Sequence, residues 1–150
     1  MSTPEEKQAL IQTHVQQLNE GDVSGYMRMY APDCAFHGYP PDVSPDCSGV
    51  AQFYTALVEA FPGAQVAPAD VVTEGDRVAV RYTLTGTHTG TFLGAPPTGK
   101  AISVEGITIL RFEGGKVAER WNRLDELTLL TKIGALPAAT EAPAARLAKP

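Results

Sequence analysis

Leu10, Ile11, Val15 and Leu18 recur at helical spacing until Gly21, and Thr3-Pro4-Glu5-Glu6 supplies a start, with Thr3 as N-cap, Pro4 in the first turn and Glu6 closing a capping box. Asp22 is placed to cap a short second helix carrying Tyr26, Met27, Met29 and Tyr30, which Pro32 stops. Cys34 to His37 then reads as a short extended piece, and the proline-rich stretch from Gly38 to Ser48 as a loop. Helical spacing returns with Val50, Phe53, Tyr54, Leu57, Val58 and Phe61 and ends near Pro62.

After Pro62 the period changes from helical to two. A strand through Val71 to Thr73 turns at Glu74-Gly75-Asp76 into a long strand on which Val78, Val80, Tyr82 and Leu84 alternate with polar residues. Ile102 to Phe112 and Lys116 to Leu124 form two further strands, and Asp125 caps a last short helix stopped at Gly134 and Pro137. Helices come first and antiparallel strands follow, which is an α+β pattern. Residues 1–136 read as one domain, and the Ala- and Pro-rich tail 137–150 as a mobile segment too poor in apolar surface to offset its ordering entropy.

Strand parity singles out the candidate chemistry. A three-residue loop Glu113-Gly114-Gly115, with Gly115 at a left-handed bulge position, sets Phe112 opposite Lys116. Leu110 then opposes Ala118, Thr108 opposes Arg120, Gly106 opposes Asn122 and Val104 opposes Leu124. This face also carries Ile102 and Phe112 and is the expected interior. Arg120 and Asn122 therefore fall in an apolar setting, where a cation or an amide needs hydrogen-bond partners or a ligand. Gly106 leaves space above the sheet. The opposite face, with Glu105, Ile107, Ile109, Arg111, Glu119, Trp121 and Arg123, mixes apolar groups with opposite charges and suits an outer surface used for self-association. His88 has the parity of Tyr82 and Leu84, and His37 and Tyr39 follow the second helix.

Composition narrows the partners. With 17 acidic against 12 basic side chains and a net charge of -5, the chain would repel a phosphate backbone, so nucleic acid is not an expected partner. The first residues lack a secretory signal and no stretch reaches membrane-spanning length, so the expectation is a cytoplasmic protein without a membrane partner. Two cysteines, Cys34 and Cys47, are too few for a disulfide scaffold or a zinc site and read as free thiols. Gly94 to Lys100 has the glycine and lysine spacing of a phosphate-binding loop, but Ala101 follows the lysine, a strand follows the loop, and Pro96 and Pro97 lack N–H groups. Asp125 is read as a helix cap and Trp121 as packing or interface.

Gly86-Thr87-His88-Thr89-Gly90, Gly94-Ala95-Pro96-Pro97-Thr98-Gly99-Lys100 and Arg111-Phe112-Glu113-Gly114-Gly115-Lys116-Val117 together resemble SnoaL-like polyketide cyclases, which are NTF2-like proteins. The resemblance implies an NTF2-like cone in which a curved antiparallel sheet wraps the N-terminal helices around a deep pocket, no cofactor, no metal, and dimers through the outer sheet face. It implies an acid/base Asp on the last long strand and a His on its neighbour, positions held here by Asn122 and Thr108. Asn does not titrate near neutral pH and cannot act as a general base. The expected catalytic set is therefore Arg120 and Asn122 polarising an oxygen, with His88 or His37 carrying the proton. Tyr39, Tyr82 and Thr108 are further expected ligand contacts, beside His37. Cyclisation or isomerisation of an apolar, carbonyl-bearing small molecule is the leading expectation. The alternatives are a non-catalytic binding protein and epoxide opening, which would require an inward carboxylate where Glu105 and Glu119 point outward.

Overall fold

Thr3 caps the first helix through its side chain, which accepts the Glu6 N–H at 3.0 Å, and α1 runs Pro4–Asn19. Asp22 caps α2 (Val23–Met27) by accepting the Gly25 N–H at 2.8 Å. The computed structural model describes residues 2–135, so the tail expectation for residues 137–150 lies outside the described residues. Tyr30 was expected on the second helix; it instead opens strand β1 (Tyr30–His37). Asp46 accepts the Gly49 N–H at 2.8 Å and caps α3 (Cys47–Ala60), which begins earlier than the apolar spacing alone indicates. Strands β2 (Gln65–Glu74), β3 (Arg77–Thr87), β4 (Ala101–Glu113) and β5 (Lys116–Leu124) follow, and α4 (Glu126–Lys132) is capped by Asp125.

The strands form one curved sheet in the order β1-β5-β4-β3-β2, with the helices on its inner side. Neighbours are antiparallel except at one edge, where β1 runs parallel to β5, so the sheet is mixed. The core joins Ile11, Leu18, Phe36, Leu57 and Phe61 to the inward row Val78, Val80, Leu84, Val104, Leu110 and Phe112. Among the described residues no helix is long and apolar enough to cross a membrane, and no cluster of three or more His, Cys, Asp or Glu could hold a metal. Cys34 and Cys47 are free thiols.

The β4–β5 register differs from the expected one by two residues. Both Gly114 and Gly115 have positive φ, 60° and 81°, so they alone make the turn and Glu113 pairs with Lys116. The extra residue enters further along, where Phe112 opposes Val117 but Arg111 opposes Glu119, leaving Ala118 as a bulge. Val117, not Ala118, is the fully buried residue there. Beyond the bulge Leu110 opposes Arg120, Thr108 opposes Asn122 and Gly106 opposes Leu124. A displacement of two preserves parity, so Arg120 and Asn122 still face the helices.

Gly38 follows β1 at φ +88°, and a Cβ there would lie 1.9 Å from the Asn122 carbonyl oxygen. Left-handed strain and a backbone clash combine at this position. Gly38→Ala is expected to cost about 2–4 kcal/mol, read as a lower urea midpoint at unchanged slope. An unchanged midpoint would show that the chain does not approach β5 this closely.

Candidate active site

Alternation along β5 turns Arg120 and Asn122 inward, and both are buried at 6% exposure. Arg120 lies beneath a cage of hydroxyls. Its Nε donates to Thr108 Oγ1 at 2.8 Å, and its Nη1 faces the hydroxyls of Tyr26 and Tyr30 at 2.5 Å and of Tyr54 at 3.1 Å. Its Nη2 donates to Asn122 Oδ1 at 3.2 Å, and the Tyr39 ring centre lies 5.9 Å from the guanidinium carbon. The hydroxyls of Tyr26 and Tyr30 pair at 2.5 Å, and those of Tyr39 and Tyr54 at 2.8 Å. All five tyrosines of the chain belong to this one network, because Tyr82 donates to Asn122 Oδ1 at 2.8 Å.

Gly106 makes the last contact possible. Tyr82 lies across it from the neighbouring strand, and a Cβ at Gly106 would sit 2.4 Å from the phenol carbon and oxygen. The space expected above Gly106 is thus occupied by Tyr82. Asn122 Oδ1 accepts from both Tyr82 and Arg120, which assigns the amide's orientation, since the reversed amide would aim N–H at the Arg120 N–H. Its Nδ2 consequently faces the cavity, with no protein acceptor among the described residues.

The charge of Arg120 is uncompensated. Its partners are neutral hydroxyls and an amide oxygen, and no carboxylate pairs with it among the described residues. Burial works against the cation, and its pKa lies above the ordinary arginine value only through the charge that Tyr26, Tyr30, Tyr39 and Tyr54 would carry as phenolates, whereas at neutral pH they offer hydroxyl dipoles alone. Burial also raises the phenols of Tyr26, Tyr30 and Tyr39, and it pushes Tyr82 up to about 12, the Arg120 charge acting in the opposite direction.

A titration checks these directions. For Tyr82 the folded value near 12 exceeds the unfolded 10.0, so its contribution is fully present below pH 10 and disappears as pH rises through 12. Absorbance at the phenolate wavelength is expected to stay nearly flat to about pH 10 and then rise together with loss of folded structure. Free ionisation of most tyrosines while the chain remains folded would contradict the buried network.

The cavity above this network is narrow and strongly apolar. About 60 Å³ is open to the centre of a water molecule, and the whole space between the walls, open end included, is about 730 Å³. Ile11, Leu18, Phe53, Leu57, Phe92 and Leu129 are among its walls, and its polar floor is Tyr26, Tyr54, Tyr82, Thr108, Arg120 and Asn122. Such an enclosure fits a flat or slender organic ligand held by a few polar groups.

Of the residues singled out in the sequence, Arg120, Asn122, Thr108 and Tyr82 meet at the cavity floor, and Tyr39 reaches the same network through Tyr54. His88 does not line the cavity. It lies just beyond the end of β3, fully buried, with Nδ1 at 3.0 Å from Thr98 Oγ1, its ring stacked on Phe61, and Nε2 without a partner among the described residues. His37 is on the outer side, 2.7 Å from Glu119 and stacked on Trp121. Glu119 is held below its usual value by that hydrogen bond and by Arg111, while Glu105 pairs with Arg81 on exposed surface. Tyr26, Tyr30 and Tyr54 are the site residues the sequence did not single out. The inward helical positions of Tyr26 and Tyr54 were legible, but the placement of Tyr30 on β1 and the convergence of all three on one arginine were not.

Over residues 8–133 the chain matches the family model for SnoaL-like polyketide cyclase. Among solved structures it is similar to AclR of Streptomyces galilaeus, a candidate hydroxylase, at 34% identity and TM-score 0.80, covering 90% of this chain and 100% of that one. TsrD of Streptomyces laurentii is similar at 27% identity and TM-score 0.81, covering 91% and 100%. IdmH of Streptomyces antibioticus, a candidate polyketide cyclase, is similar at 29% identity and TM-score 0.73, covering 85% and 98%. No curated protein sequence matches the chain.

Proposed function

Since the chain belongs to the SnoaL-like polyketide cyclase family, we propose that it catalyses a cyclisation or isomerisation of an apolar, carbonyl-bearing small molecule in this cavity. The observation that carries the reading is the buried Arg120 guanidinium, held among the described residues by neutral acceptors alone, with the Nδ2 of Asn122 beside it facing the cavity. Fixed donors of this kind stabilise negative charge as it develops on a substrate oxygen, and they act most strongly where water is excluded. An enolate formed at that oxygen can attack a second carbonyl of the same molecule, or take a proton back at a different carbon. One hydroxyl hydrogen of the Tyr26–Tyr30 pair has no acceptor among the described residues and is available to the alkoxide that the attacked carbonyl becomes.

His37 and His88 are not at the cavity wall, so proton transfer within it is assigned to tyrosine hydroxyls and to the substrate itself. A hydroxylation is the second reading, favoured by the 34% identity to AclR. A homodimer through the outer face, where Ile107 and Trp121 lie among paired charges, belongs to the same proposal.

The test uses the compound that co-purifies with the natively prepared chain, identified by mass spectrometry and incubated in deuterated water. Isomerisation predicts a product of unchanged composition with deuterium fixed at the newly protonated carbon, and cyclisation predicts a product of unchanged composition or one water lighter with a new carbon–carbon bond. A product one oxygen heavier selects the hydroxylase reading, and an unchanged compound shows a binding protein instead.

A further inference from the structure

Proton abstraction from carbon needs a base, and none faces the cavity. Among the described residues no carboxylate and no imidazole lines it. The groups around Arg120 are Tyr26 from α2, Tyr30 from β1, Tyr39 from the following loop, Tyr54 from α3, Tyr82 from β3, Thr108 from β4 and Asn122 from β5. The phenols of Tyr26, Tyr30, Tyr39 and Tyr82 are held above their ordinary value by burial, and Thr108 and Asn122 carry no group that ionises near neutral pH. Glu126, in the first turn of α4, is the carboxylate that acts on Tyr82, and it lies outside the cavity wall.

Hydrogens also outnumber acceptors. Asn122 Nδ2 carries two, and the second hydrogen of Arg120 Nη2 has no acceptor among the described residues. The Tyr26–Tyr30 and Tyr39–Tyr54 pairs each leave one hydroxyl hydrogen over, because one donor suffices for each bond. Both imbalances have the same sign: the floor lacks a negative charge and it lacks acceptors.

We propose that the cavity selects the ionised form of an acidic enol or phenol, so that the substrate brings its own negative charge and needs no base from the protein. This rests on the carbonyl-handling reading above and names its substrate class: a 1,3-dicarbonyl or hydroxyaryl ketone that loses its proton to water before binding. The anionic oxygen sits on Arg120 and Asn122 Nδ2, the conjugated carbon is the nucleophile, and attack on a second carbonyl forms one carbon–carbon bond while that carbonyl's π pair becomes an alkoxide. Where the nucleophilic carbon belongs to an aryl ring, its proton passes to water as the ring regains aromaticity. The alkoxide takes its proton from the free tyrosine hydroxyl, which water reprotonates through the open end. A neutral substrate would leave the buried cation without a counter-charge.

The probe is 4-nitrophenol, whose phenolate has its own visible band. Titrated with pH in the presence of the full chain, the bound probe is expected to ionise at least about one pH unit lower than the free probe, which is at least tenfold tighter binding of the anion. Glu126→Gln should leave that shift in place, Arg120→Lys should keep its direction, and Arg120→Met should remove it. A bound probe that ionises at the same pH or higher overturns the proposal, as does absence of binding at millimolar phenolate. Binding of neutral 4-nitrobenzaldehyde at the same site, with no preference for phenolate, would overturn it while leaving the carbonyl-polarising reading intact.

Discussion

Replacing Arg120 by methionine is expected to lower kcat/KM on the co-purifying compound by about a hundred- to a thousandfold, the usual cost of removing an oxyanion-stabilising donor. The unfolding temperature should not fall. Arg120 is a buried cation with neutral partners, so its desolvation is not repaid by an ion pair, and an apolar side chain of similar length relieves that cost. The hydroxyls it leaves keep partners, because Tyr26 still pairs with Tyr30, Tyr39 with Tyr54, and Tyr82 with Asn122. Activity and thermal unfolding measured on the same preparation therefore separate the two roles. A variant that unfolds many degrees lower would make Arg120 a structural clamp and remove the functional argument.

The second large effect is expected from Asn122→Asp, which sets a carboxylate about where Oδ1 now accepts from Arg120 at 3.2 Å. The adjacent guanidinium should depress that carboxyl below its unfolded value, outweighing desolvation. The sign follows: the added stability is fully present above the unfolded carboxyl range and is lost as pH falls through the depressed value. Thermal unfolding at pH 7 should rise relative to the native chain, and the difference should vanish in strong acid. At the same time the cavity becomes neutral overall. Binding of 4-nitrophenolate should weaken by at least about tenfold, since an opposite charge already occupies the cation. Tighter phenolate binding in this variant would contradict the charge argument, and a higher unfolding temperature in acid than at pH 7 would contradict the linkage.

Local rules carried most of the fold. Thr3, Asp22 and Asp125 cap the helices as their residue types predict, and the alternation of Val78, Val80, Tyr82 and Leu84 marks the buried face of β3. The inward direction of Arg120 and Asn122 was legible for the same reason. Their partners across the sheet were not, because two consecutive glycines at positive φ shorten the turn and Ala118 bulges out further on. The two shifts share one sign and sum to two, which conceals them from a parity argument. His88 keeps the inward parity of Leu84 and is fully buried, but beyond the end of β3 at Thr87 its ring packs on Phe61 instead of lining the cavity, which parity alone does not encode. His37 sits on the outer side of β1, whose inward positions are Cys34 and Phe36. The parallel pairing of β1 with β5 depends on where α2 releases the chain, which no local pattern encodes.

The tyrosine cage was legible only in retrospect. Tyr26 and Tyr54 stood at inward helical positions and read as core, while Tyr30 was placed on the wrong element. An inward arginine on a sheet face with no inward acid implies neutral acceptors elsewhere, and those tyrosines were the available oxygens. What sequence could not supply was their distance. They arrive from α2, β1 and α3, and only the packing of those elements brings three hydroxyls to one guanidinium nitrogen.

The carbonyl stretch of acetophenone bound to the full chain tests the role of Arg120 most directly. A guanidinium and an amide N–H at the carbonyl oxygen should move the band to lower frequency than in water, and Arg120→Met should return most of that shift. A band at its hydrocarbon-solvent position in the native chain, or one that Arg120→Met leaves in place, would mean that this buried cation does not meet the ligand's oxygen.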